Sequence, residues 1–157
     1  MRVDDQAAEP VSAEGLRIAV VTTMFNRTIT EGLTEGALEY LDEASPDEII
    51  LVDVPGAFEL PLIAQQLAND GYDAVICLGA VIEGDTDHYE HVAHRASEGL
   101  MRVQLDTGVP VAFGILTTRD AAAAMKRAVP GPDNKGREAA EAGVQAAFVL
   151  KSLRSGD

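Results

Sequence analysis

Four short runs of apolar, largely β-branched residues constrain what this chain can fold into more than anything else in it. They are Leu16–Thr23 (LRIAVVTT), Glu48–Val54, Asp73–Ile82 and Val109–Leu116. Their apolar residues are nearly continuous, which is the pattern of strands covered on both faces rather than of a sheet with one wet side. Between them the period changes. After the first run, Ile29, Leu33, Ala37, Tyr40 and Leu41 recur at helical spacing, with Thr28 or Thr30 placed to cap the segment. The turn Pro55-Gly56 leads into a helix from about Ala57 to Ala68, a third helix spans about His88–Asp106, and two more follow the last strand.

Alternating strands and helices of this kind pair as a parallel sheet joined by right-handed crossovers. The expected fold is therefore a three-layer α/β/α sandwich, flavodoxin-like, around a central four-stranded parallel sheet. In such folds ligands lie at the carboxyl ends of the strands. That points to Thr22–Arg27, Val54–Glu59, Gly79–His88 and Gly114–Asp120 as the segments that carry chemistry. With 157 residues the chain is long enough for one domain and too short for a cofactor domain plus a substrate domain. Residues 16–157 read as that domain. Residues 1–15, with Asp4, Asp5, Glu9 and Glu14 against Arg2, read as an acidic N-terminal arm.

Charge narrows the class of partner. Twelve basic against 26 acidic residues give −14, and only Lys126, Lys135 and Lys151 are lysines. Such a surface repels nucleic acid and anionic membranes, so neither is an expected partner. It also suits concentrated salt, where charge repulsion is screened within a few ångströms, and a halophilic setting is the resulting expectation. No apolar stretch reaches the length of a membrane span, and the first residues lack a signal-peptide pattern. The single cysteine, Cys77, sits within Ala74-Val75-Ile76-Cys77-Leu78 as a small buried hydrophobe. A cytoplasmic, reducing location follows from these readings.

Three segments look chemical. Gly79–His88 leaves a strand end and enters a helix that Thr86 or Asp87 can cap, with Glu90 three residues on for a reciprocal cap. Gly84 lets a ligand approach the backbone, and the helix start favours an anion, although an ordinary capped helix start accounts for the same pattern. The histidines fall together: His88 and His91 share a helix face, and His94 is rotated away. Their spacing supplies too few ligands for a metal site, so none is expected. His91 and His94 read as a solvated face with Asp87 and Glu90 as ion-pair partners, whereas His88, at the helix start, is the candidate for proton transfer. Lys126, Arg127, Lys135 and Arg137 flank the loop Val129–Asn134, either answering helix dipoles or clamping a phosphate. In Gly56-Ala57-Phe58-Glu59-Leu60-Pro61, Glu59 can balance a helix dipole or accept hydrogen bonds from a polyhydroxylated ligand. Phe25 and Phe113 lie near strand ends, where a ring serves either the core or a flat heterocycle.

Taken in order, these segments resemble the lumazine synthase family over nearly the whole chain from Leu16. The carriers are Phe25-Asn26, Pro55–Pro61, Gly79–Ile82 with Gly84, Thr86, His88 and Tyr89, Gly108–Val111 with Phe113-Gly114 and Leu116–Thr118, and Asn134–Gly136 with Glu138–Ala140. The resemblance implies a transferase of riboflavin biosynthesis without metal or organic cofactor. It would condense 5-amino-6-(D-ribitylamino)uracil with 3,4-dihydroxy-2-butanone 4-phosphate to give 6,7-dimethyl-8-ribityllumazine, phosphate and water. By motif it implies Phe25 stacked on the pyrimidine, Ala57, Phe58 and Glu59 on the ribityl chain, and the backbone of Ala80, Val81 and Ile82 along the pyrimidine. Asp85 and Thr86 would give N–H groups to the phosphate, Arg127 would clamp it with Lys135 nearby, and Phe113 would reach in from a neighbouring subunit. His88 would move protons. Homopentamers, stacked decamers and 60-subunit shells are all implied forms.

Glu83 stands where many relatives carry a basic residue, and Asp85 where they carry a small apolar one. A carboxylate at residue 85 beside a dianionic substrate weakens affinity at low ionic strength. Two alternatives share the fold. An archaeal-type riboflavin synthase would combine two lumazines and needs no phosphate loop, and a non-catalytic flavin-binding or shell-forming relative would not need Arg127, Lys135 and His88 together.

Overall fold

A computed structural model describes residues 11–84 and 87–156. Its elements are β1 (Arg17–Thr23), α1 (Arg27–Ala44), β2 (Glu48–Val54), a 3₁₀ turn (Ala57–Glu59) running into α2 (Leu60–Asn69), β3 (Ala74–Ile82), α3 (His88–Thr107), β4 (Val111–Thr118), α4 (Ala121–Lys126) and α5 (Lys135–Ser155). The four strands form one parallel sheet in the order β2-β1-β3-β4.

Alternation along the buried strands sorts the helices into layers. Ile18, Val20, Ile76 and Leu78 point to one side, where Leu33, Ala37 and Leu41 of α1 and Ala140 and Val144 of α5 cover them. Ala19, Val21, Val75 and Cys77 point to the other, against Leu60 and Ala64 of α2 and Ala96 and Leu100 of α3. Successive side chains of a strand take opposite faces, so a run apolar at every position requires a helix layer on each side. The expected three-layer sandwich is what forms.

The chain leaves β1 toward β2 and later returns across β1 to place β3 on its other side. This opens a crevice at the carboxyl ends of β1 and β3, where the strand order reverses. Asn26 marks the turn into it, with a left-handed backbone at φ 58° and its Nδ2 donating to the Ala80 carbonyl at 3.1 Å. It corrects the expected capping by Thr28 or Thr30: both lie inside α1, and the buried Thr30 hydroxyl bonds back to the Arg27 carbonyl at 3.3 Å.

Some differences from the sequence reading are local. The strand expected at Val109–Leu116 runs two residues later, at Val111–Thr118, where ladder pairing with β3 starts, and the Val111 N–H donates to the Gln104 side chain at 2.9 Å. Strand β2 is one of the two sheet edges, and Leu51 on it is 55% exposed rather than covered. At the other end of the chain, Ala13 is fully buried and its N–H donates to the Ala44 carbonyl at 2.7 Å, closing the end of α1.

The loop before α5 is held by one buried side chain. Asn134 donates to the carbonyls of Gly32 at 3.1 Å and Val129 at 3.0 Å, while its Oδ1 caps α5 by accepting from the Arg137 N–H at 3.1 Å. Gly36 leaves room for it, since a Cβ there would overlap the Asn134 amide. Arg137, read from sequence as part of a cationic cluster, instead turns to α1, pairing with Glu39 at 3.4 Å and Glu43 at 3.0 Å over the Tyr40 ring.

Candidate functional site

A cavity of about 670 Å³ opens at the carboxyl ends of β1 and β3. Phe25 and Asn26 form one wall, the Gly56–Glu59 turn a second, the end of β3 from Ala80 to Ile82 the floor, and α3 the remaining wall. Its lining is predominantly apolar with a few convergent polar groups, the usual make-up of a small-molecule site. Of the residues singled out from sequence, Phe25, Ala57, Phe58, Glu59, Ala80, Val81, Ile82 and His88 all line it.

Local structure explains the convergence. Phe25 follows the last residues of β1, cannot enter the core from the left-handed turn at Asn26, and is 68% exposed to the cavity mouth. Gly56 has an extended backbone that any residue adopts, so its role is space: an added Cβ would stand 3.3 Å from both Glu59 Oε2 and Phe25 Cδ2. Pro61 falls in the first turn of α2, where its missing N–H costs nothing. Thr23 lies on the floor, 1% exposed, with no hydrogen-bond partner for its Oγ1 among the described residues.

Helix α3 presents His88, His91, Val92 and Arg95 to the cavity, one helical face over two turns, with Tyr89 beside them. The expected reciprocal cap does not form. Asp87 is the residue before α3, but its backbone is not extended and its side chain makes no cap bond; only its carbonyl is used, accepting from the Glu90 N–H at 3.1 Å. His91 and His94 are both exposed, as expected of a solvated face, and His91 also lines the cavity. Partial burial, with the carboxylates of Glu83 and Glu90 nearby, raises the Tyr89 phenol above its usual range, so it is a hydroxyl donor at neutral pH.

Other sequence candidates lie elsewhere. Phe113 is the third residue of β4, opposite Cys77 in the ladder, 42% exposed and outside the cavity. It is therefore nearer the start of its strand than the carboxyl end expected for it. Arg127 ends α4 and Lys135 begins α5; the Arg127 carbonyl accepts from the Lys135 N–H at 2.8 Å, and both cations face Glu138, at 3.6 and 3.5 Å. Neither lines the cavity of its own chain. Asp85 and Thr86 lie outside the described residues.

Asn26, Gly56, Tyr89, His91 and Arg95 were not assigned site roles from sequence. The signal for the last two was present in the helical register from His88, but an exposed polar helix face carries no mark of what it faces. Among the described residues no three His, Cys, Asp or Glu side chains group closely enough to hold a metal ion. None of the described helices is long and apolar enough to cross a membrane.

Comparison with known proteins shows the family. Residues 15–151 match the family model of 6,7-dimethyl-8-ribityllumazine synthase. The chain is also 48% identical over 143 residues, covering 89% of its length and 92% of the relative's, to a protein of Salinibacter ruber called 6,7-dimethyl-8-ribityllumazine synthase.

Proposed function

The chain belongs to the 6,7-dimethyl-8-ribityllumazine synthase family, and from that premise we propose that it is a transferase joining 5-amino-6-(D-ribitylamino)uracil to 3,4-dihydroxy-2-butanone 4-phosphate. The products are 6,7-dimethyl-8-ribityllumazine, phosphate and water. The observation that carries the reading is the convergence, at the switch point of the sheet, of an exposed ring, a carboxylate beside it, a backbone floor and a histidine.

In this reading the pyrimidine stacks on Phe25 and runs along the backbone of Ala80, Val81 and Ile82. The ribityl chain lies over Ala57 and Phe58 with its hydroxyls donating to Glu59. Amine attack on the ketone gives a carbinolamine, loss of water an imine, elimination of phosphate and tautomerisation a new carbonyl, and ring closure of the ribitylamine onto that carbonyl with loss of a second water the product. Every step moves a proton, and His88 at the start of α3 stands where those atoms meet. Both substrates are reactive on their own, so holding them in register supplies much of the rate.

The phosphate subsite requires N–H groups of Asp85 and Thr86 with the cations of Arg127 and Lys135, and the pyrimidine subsite is completed by Phe113. These last three lie outside the cavity of their own chain, so a second copy delivers them and the working form is a homo-oligomer, in this family's manner a pentamer, alone or within larger shells. Support comes from apolar residues left uncovered on the faces beside the cavity and on α5: Leu62 is 70% exposed, Leu105 73% and Leu153 73%. The surplus of acids, −14 in all, supports function in concentrated salt. We read the acidic N-terminal segment as an arm appended to one catalytic unit, ending before Ala13, which packs in the core rather than in the arm, and the free thiol of Cys77 as fitting a reducing cytoplasm.

The test mixes the purified protein with both substrates at low and high salt and follows lumazine absorbance and fluorescence against an uncatalysed blank. Acceleration that disappears in Arg127→Ala is the expected result. A folded assembly that gives none at any salt concentration overturns the reading and makes lumazine alone the next substrate.

A further inference from the structure

Arg95 is a cavity residue to which the proposed reaction gives no task. It stands seven residues beyond His88 on the same face of α3, roughly 10 Å along the helix axis. The 3₁₀ turn Ala57–Glu59 packs against this helix. Arg95 and Phe58 line both the cavity and the adjoining groove between α2 and α3, which places Arg95 at the cavity's far end, on the Phe58–Glu59 side. Its partner, Glu98 at 3.0 Å, is as exposed as itself at 68%, and such a surface pair contributes little and occupies one of several guanidinium N–H groups.

The chemistry at that end is asymmetric. A polyol offers a donor and an acceptor at every hydroxyl, so a site that reads one needs both kinds of group. Among the described lining residues Glu59 is the one carboxylate, which only accepts, and Arg95 the one guanidinium, which only donates. We propose that Arg95 reads the ribityl chain from across the cavity, donating to hydroxyl oxygens whose protons go to Glu59, and so sets specificity for the polyol-bearing pyrimidine. This rests on the functional reading above and adds a residue to its pyrimidine subsite.

Steady-state kinetics and calorimetric titration of each substrate alone test it on the intact assembly. Arg95→Ala is expected to raise KM and Kd for the ribitylaminouracil about 10-fold, as loss of a charge-assisted hydrogen bond does. The kcat and the KM for the butanone phosphate stay as in the parent. Arg95→Lys recovers part of the loss, and 5,6-diaminouracil, which has no ribityl chain, binds parent and variant alike. Unchanged Kd for the ribityl substrate, or an equal loss with 5,6-diaminouracil, overturns the proposal. Should Arg95→Ala not assemble, Arg95→Gln keeps the stem and a neutral donor and is read the same way. A parent protein that forms no lumazine overturns the functional reading instead, while the Kd comparison still decides Arg95.

Discussion

The ring of Phe25 and the carboxylate of Glu59 meet over a residue that has no side chain. A methyl group on Gly56 would lie 3.3 Å from each. In the proposed reading the pyrimidine stacks on that ring and its ribityl chain passes Glu59, so the space over Gly56 bears on both contacts.

Gly56→Ala is accordingly expected to fold normally, since its backbone is extended, and to push Phe25 or Glu59 off its position. Such a displacement costs about 0.5–1.5 kcal/mol, roughly 2- to 10-fold in affinity. Titration with the ribitylaminouracil should show the weakening, and the butanone phosphate should not. A change in thermal stability with affinity unaltered would count against the geometry.

His88→Ala should slow turnover by about 10- to 100-fold, less than removal of an indispensable acid or base, because much of the rate comes from alignment of two reactive substrates. The measurement is kcat with both substrates saturating. Complete loss of turnover in a folded, assembled variant would assign His88 a larger share.

Asn134→Ala removes the side-chain cap of α5 and leaves the Gly32 and Val129 carbonyls without their donor. Losing a cap and two buried hydrogen bonds should cost about 2–4 kcal/mol. Urea unfolding at fixed protein concentration reads this. Because Asn134 also holds the loop between Arg127 and Lys135, affinity for the butanone phosphate should fall more than affinity for the pyrimidine.

Burial pushes the Cys77 thiol from 9.0 up to about 12. Below about pH 8 the folded and unfolded states both keep the proton and the group contributes no pH dependence. Between 9 and about 12 only the unfolded state loses it, so stability falls as pH rises across that window. Tyr40, raised chiefly by burial, acts in the same direction. Cys77→Ala should flatten part of the alkaline slope, and the native thiol should resist a disulfide reagent at pH 8 until the protein is unfolded.

How far the sequence could be read depended on the kind of signal each residue carries. Within Leu16–Thr23 the stretch Ile18–Val21 is apolar at every position of the pleat, and a helix layer on each side could be inferred from it, because residues on both faces need cover. Pro61 was legible because its missing N–H restricts it to the first turn of a helix, whereas the space that Gly56 leaves was not. Capping was less legible. Thr28 and Thr30 have the right side chains, yet the turn enters α1 through Asn26, whose left-handed backbone is tied to Ala80, a residue 54 positions away.

What the sequence alone determined is therefore the layered fold and the strand ends that meet at the crevice, governed by periodicity and short-range backbone chemistry, while the ring, carboxylate and histidine were singled out by ordered motifs that resemble a known family. Tertiary structure decided which polar residues face one another. It brought His91 and Arg95 to the cavity, turned Arg137 to α1, and left Phe113, Arg127 and Lys135 outside the cavity of their own chain. Those outcomes depend on how helices pack across the sheet, through contacts between residues far apart in the chain, and no local pattern encodes them.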